Sequence, residues 1–136
     1  MHPDFRMRLH IHVGSEQSLG PGKAALLEAI REAGSISAAA RALGMAYRHA
    51  WELVDDLNAC FALAAVETAA GGRKGGGARL TPFGAELVRR FREMEAAAEA
   101  AIAPALAGLA LRLAQPRGHK HRTKRSAARR DIVGRE

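Results

Sequence analysis

One cysteine, Cys60, stands in 136 residues, which excludes an internal disulfide and starves any Cys-rich metal site of ligands. A small thiol late in a helix is its expected role. No apolar run approaches a membrane span, and the opening MHPDFRMRLHIHV lacks the apolar core of a signal peptide. A reducing cytoplasm is the expected location. The glycine-rich stretch GGRKGGGARLT (71–81) holds no G-x-x-x-x-G-K-[ST], because Lys74 precedes the glycine triplet instead of following it. No Ser/His/Asp or Cys/His set is suggested, and the carboxylates fall mainly on solvated helix faces. These absences argue against an enzyme, and no cofactor, catalytic residue or metal ligand is assigned.

What is present is cationic charge, unevenly placed. Of the net +7, the segment 115–136 supplies eight Lys/Arg against two Asp/Glu, leaving residues 1–114 near neutral. That segment has one Ile, one Val and no aromatic residue, so it is expected to stay disordered. A cationic arm beside a near-neutral domain suits a polyanion, with nucleic acid the commonest. A solubilising tail is the plainer alternative.

The apolar pattern divides the chain into 1–19, a strand and lead-in, 20–114, a folded domain, and the tail 115–136. MRLHIHV (7–13) alternates as a strand, with Leu9, Ile11 and Val13 on one face. GSEQSLGPG then breaks the chain. KAALLEAIREAG (23–34) has helical spacing and a Gly34 stop. SISAAARALG follows as a second helix with Ser37 as the expected N-cap and Gly44 as its end. YRHAWELVDDLNACF (47–61) repeats Ala50, Val54, Leu57 and Phe61 along one stripe, with Arg48, Glu52 and Asp55 opposite. ALAAVETAAGGRKGGGARLT reads as a hairpin with a glycine-rich tip. The last helix, 81–113, is capped by Thr81 with Pro82 at its first position, and Pro104 is expected to kink or divide it.

The order β–α–α–α–β–β–α predicts a mainly α fold with a small β-hairpin: a winged helix-turn-helix with a long C-terminal dimerisation helix. In GSISAAARALGMAYRHAWELVDDLN (34–58), Ala39 and Ala40 are small where helices approach, and Gly44 supplies the turn. Tyr47 and Arg48 occupy the exposed start of the recognition helix, where base edges and phosphates are met. Trp51 is expected to pack. Glu52 and Asp55 repel phosphate, so only the first turns should enter a groove.

This unit, followed by GGRKGGGARLTPFGAELV, resembles the N-terminal DNA-binding domain of ModE-type molybdate-responsive transcriptional regulators and, more distantly, the LysR-type helix-turn-helix. The likeness covers about residues 20–100. It implies a winged helix domain that dimerises through the helix after the wing and binds a palindromic operator. By position, Ser35, Ser37, Tyr47 and Arg48 fall in the DNA-reading unit, and Arg73 and Lys74 in the wing. The family's usual Ser before the tyrosine is Ala46 here. Past residue 114 only the basic tail follows, so a single-domain form lacking the molybdate-binding region is expected, with its effector unassigned.

The expected double-stranded DNA contacts are therefore Ser35, Ser37, Tyr47, Arg48, His49, Arg73, Lys74 and Arg79. The expected homodimer seam is Leu87, Phe91, Met94, Ala98 and Ile102, at roughly heptad spacing. Two other readings stay open. HIH (10–12) and HKH (119–121) pair imidazoles that a metal- or oxyanion-responsive regulator would use, and surface histidines are the bland counterpart. The scaffold could also serve protein contacts without DNA.

Overall fold

A computed structural model describes residues 3–14, 17–69 and 76–114. The elements run β1 (Ile11–Val13), β2 (Gln17–Leu19), α1 (Pro21–Ala33), α2 (Ile36–Leu43), α3 (Tyr47–Cys60), β3 (Val66–Thr68), β4 (Ala78–Leu80) and α4 (Pro82–Ala110). Two separate antiparallel hairpins, β1–β2 and β3–β4, flank the three-helix unit in sequence.

α1 is the hub. Its Leu26, Leu27 and Ile30 are wholly buried beside Val54 and Leu57 of α3 and Phe91 of α4. Ala39 and Ala40 are also sealed, and their lack of side-chain bulk lets α2 lie close in the same core. Gly34 ends α1 in the left-handed region at φ 81°, donating its N–H to the Ile30 carbonyl at 2.8 Å. The glycine stop read from the sequence is thus in place.

Four expectations change. The predicted 7–13 strand is laddered only over Ile11–Val13, and its partner β2 lies in the stretch expected to break the chain. Leu19 explains this: it buries to 5% exposure and draws the short segment onto the core. α2 is capped by Ser35, whose Oγ accepts the Ala38 N–H at 3.0 Å, not by Ser37. Ile36 is buried as the first residue of the helix, which therefore begins two residues earlier than a Ser37 cap allows.

Pro104 does not divide the last helix, which runs 29 residues without interruption. Pro104 and Ala100 are both exposed, so water can satisfy the carbonyl that the proline leaves without an N–H. Finally, Leu87 and Phe91 are 5% and 0% exposed within their own chain. Phe91 is wholly taken up by its own core, and Leu87 keeps only a sliver of surface, in the apolar groove beside α4. No helix among the described residues is long and apolar enough to cross a membrane.

Candidate nucleic-acid interface

The turn between α2 and α3 is built by Gly44 at φ 68°. Its N–H reaches the Arg41 carbonyl at 3.1 Å, and the Met45 N–H reaches that of Ala40 at 3.0 Å. α3 then starts at an extended Ala46 with no side-chain cap, leaving the first amides of the helix pointing outward. One face of α3 locks down through Ala50, Val54 and Leu57, all 1% exposed or less. The opposite face presents Arg48 and His49 in its first turn and Glu52, Asp55 and Asp56 further along.

Tyr47 is 52% exposed and stands edge-on to the half-buried Trp51, ring centroids 6.2 Å apart. Trp51 packs on the core, as expected of it. His49 Nδ1 lies 3.7 Å from Glu52 Oε1. Positive potential from the helix start and Arg48 therefore gives way to negative potential one to two turns later, which limits how deeply an anionic partner can engage.

The hairpin beside this helix pairs Val66 with Leu80, Glu67 with Arg79 and Thr68 with Ala78. The Ala78 N–H donates to the Gly34 carbonyl at 2.9 Å, which ties the wing to the α1–α2 turn. At its far end Asn58 of α3 acts as a clamp. Its Oδ1 accepts the Ala65 and Val66 N–H groups at 2.8 and 3.2 Å, and its amide donates to the Val66 carbonyl at 3.1 Å. Thr81 Oγ1 donates to the Ala64 carbonyl at 2.6 Å and accepts the Gly84 N–H at 2.9 Å, capping α4 as predicted.

Between α2, the start of α3 and the base of the wing lies a cleft of about 450 Å³. It brings together Ser35, Ser37, Arg41, Tyr47 and the wing glycines Gly76 and Gly77. Three of the predicted contacts thus converge, while Arg48 and His49 sit on the neighbouring exposed turn. Ser35 is already spent as a cap, and Ser37 accepts a hydrogen bond from Arg41 at 3.1 Å. Arg41 was missed from sequence. Its signal was the i, i+4 spacing from Ser37, which puts both on one face of α2.

Arg79 behaves differently. Its guanidinium is held by Glu67 at 3.1 Å across the ladder and lines an adjoining cleft of about 380 Å³ with Gly34 and Ala69. Arg73, Lys74, the 115–136 segment and HKH (119–121) lie outside the described residues. His10 and His12 are exposed, and no group of three or more His, Cys, Asp or Glu side chains stands together among the described residues.

A helix-turn-helix followed by a hairpin pinned to its first turn, and then by a long helix, defines a winged helix-turn-helix. Residues 23–85 match the family model described as bacterial regulatory helix-turn-helix protein, lysR family.

Three relatives extend the comparison. The molybdenum-pterin-binding protein MopB of Rhodobacter capsulatus is 46% identical over 78 residues, 57% of this chain and 29% of MopB. The molybdenum transport protein ModE of Azotobacter vinelandii is 39% identical over 90 residues, 66% of this chain and 33% of that protein. The DNA-binding transcriptional dual regulator ModE of Escherichia coli (strain K12) is 38% identical over 71 residues, 52% of this chain and 27% of the relative. The resemblance read from the sequence is met over this region, and the chain spans about a third or less of the length of the curated relatives it matches.

Proposed function

We propose that this protein is a sequence-specific DNA-binding transcriptional regulator that acts as a homodimer on an inverted-repeat operator, and that it is not an enzyme. The carrying observation is the joint presentation of Tyr47, Arg48 and His49 on the open first turn of α3 beside the cleft at the wing base. The first turn of α3 enters the major groove, Arg48 reads a base edge, and Arg41, Ser37 and Tyr47 meet the flanking phosphates. Arg73 and Lys74 extend this contact from the wing tip, and the basic tail adds sequence-blind attraction. Arg79 has its charge engaged by Glu67, so it contributes less than the other arginines.

The relatives' names support the regulatory reading, since two are called ModE and one of these a DNA-binding transcriptional dual regulator. The homodimer is supported by α4, whose Met94, Ile102 and Leu109 are 39%, 36% and 56% exposed. With Leu87 and Phe91 consumed by the core, the seam between copies falls on Met94, Ala98 and Ile102 and continues distally. The test is fluorescence anisotropy against a selected operator duplex and a scrambled one. Wild type prefers the operator, and Arg48→Ala loses about 1–3 kcal/mol of that preference. Equal weakening on both duplexes makes Arg48 a phosphate contact, and no preference by wild type overturns the proposal.

A further inference from the structure

An apolar groove of about 530 Å³ runs beside the first half of α4. Ile11 and Val13 of β1 form one side and Phe83, Leu87 and Met94 of α4 the other. Phe61, edge-on to Phe83 with ring centroids 5.3 Å apart, contributes from the end of α3. Two charged side chains of α4, Arg90 and Glu93, complete the lining. Arg90 is paired with Glu86 at 2.7 Å and Glu93 with Arg89 at 3.7 Å, both within the helix and exposed to water. Exposed pairs of this kind hold little, so both charges can change partner at small cost.

The 115–136 segment lies outside the described residues, and its sequence holds a matching element. Among its eight Lys/Arg, Ile132 and Val133 are the only branched aliphatic side chains, and they stand side by side. Attraction to phosphates has no use for an adjacent Ile–Val pair. Asp131 precedes the pair, and Arg135 follows it after Gly134. In an extended chain Asp131, Val133 and Arg135 share one side and Ile132 takes the other. We propose that the groove is the seat of residues 131–135 of the same chain, laid parallel to the first half of α4. Ile132 then faces Ile11 and Val13, Val133 faces Leu87 and Met94, Asp131 meets Arg90 and Arg135 meets Glu93. The charges match in this direction alone, since reversal would set Arg135 against Arg90 and Asp131 against Glu93.

The tether is long enough. α4 rises about 30 Å from Arg90 to Ala110. The seventeen residues 115–131 reach about 55 Å when fully extended, and a coil of that length spans about 20–25 Å. Two aliphatic side chains would be a weak anchor between separate molecules. On this tether the step is intramolecular, at an effective concentration on the order of mM. Ile102 and Leu109 are nearer to the tether but stand on a bare helix, whereas the groove has a wall on each side. The contact itself is independent of the DNA reading; its consequence rests on that reading. A seated segment holds the basic residues beside α4 and the end of α3, away from the first turn of α3. Groove and phosphates thus compete for one segment, and only the fraction of chains with the segment released adds its full attraction to a duplex.

The test uses the full chain with Cys60→Ser, Ala97→Cys and Gly134→Cys, treated with a short bis-maleimide. Ala97 is exposed at the end of the groove, and Gly134 adjoins the anchor pair without replacing it. An intrachain link is expected. Adding Ile132→Ser with Val133→Ser leaves the tether unchanged and should slow linking about tenfold; linking at the same rate overturns the proposal. The link should also survive dilution into a large excess of cysteine-free chain. Its loss there gives the groove to another copy's segment and overturns the proposal as well. Without the added cysteines, Ile132→Ser with Val133→Ser should tighten binding to a random duplex about two- to tenfold at low salt. Unchanged affinity beside anchor-dependent linking keeps the seat and removes its effect on DNA. A chain that binds no duplex removes the DNA reading and leaves the seat standing.

Discussion

Ala46 starts the recognition helix with an extended backbone, φ −66° and ψ 145°, and no oxygen to accept the first free amides. A serine there would bond the amide two or three residues on, so Ala46→Ser is expected to raise stability by about 1 kcal/mol in urea melts. Because these amides belong to the helix start whose Tyr47 lines the cleft, the variant should also show whether they are needed by an anion. Weaker duplex binding despite greater stability would mean that they are.

A second residue-scale effect lies across the core, where the Arg92 guanidinium meets Glu28 at 2.8 and 3.1 Å and Glu95 at 2.8 Å. The bond to Arg92 holds the Glu28 carboxyl below the ordinary carboxylate range, against the opposing effect of its partial burial. A carboxylate with a depressed folded pKa contributes stability that is full above its unfolded value and lost as pH falls through the folded one. Both side chains are about a third exposed, so solvent screens the pair and its worth is roughly 0.5 kcal/mol. Glu28→Gln should therefore cost about that much at pH 7 and nothing below the carboxylate range, measured by urea melts at the two pH values.

At the scale of elements, the joint between the wing and α4 decides whether the hairpin is held or loose. Gly84 packs so tightly on the Ala65 carbonyl that a Cβ there would overlap it, with backbone on both sides unable to swing away. Gly84→Ala gains about 1 kcal/mol of helix propensity. It should nevertheless lower stability by about 1–3 kcal/mol in thermal melts, because overpacking against backbone outweighs that gain.

The helices themselves were legible because each writes its buried stripe into the sequence: Ala50, Val54 and Leu57 in α3, and Leu26, Leu27 and Ile30 in α1. β2 was not, since three residues with one apolar side chain carry no period. Ser35 and Ser37 look alike as caps, and only the burial of Ile36 between them distinguishes the two. Leu87 and Phe91 continue the same apolar stripe as Ile102, and spacing alone does not say where cover by the chain's own core ends. In the candidate site, Tyr47 and Arg48 were readable from helix phase. The capture of Arg79 by Glu67 depended on strand register, which the sequence leaves unspecified when both strands are three residues long.

For the whole molecule, charge is divided between a near-neutral domain and a tail with eight Lys/Arg. Truncation after Ala114 should weaken binding to operator and random duplex alike and flatten the dependence of log K on log salt, by up to about 0.9 for each phosphate contact removed. An unchanged slope would leave the tail without a part in binding. The domain retains specificity in this account, because the side chains assigned to base reading all lie before residue 81.

The central claim is that two such domains read one inverted repeat. Selection from a randomised pool of DNA duplexes, followed by footprinting of the enriched sequence, tests it most directly. The account predicts enrichment of an inverted repeat with half-site centres about 34–36 Å apart, protected on both halves. A pool that emerges with no enriched sequence, or protection of a single asymmetric site by a monomer, would contradict it.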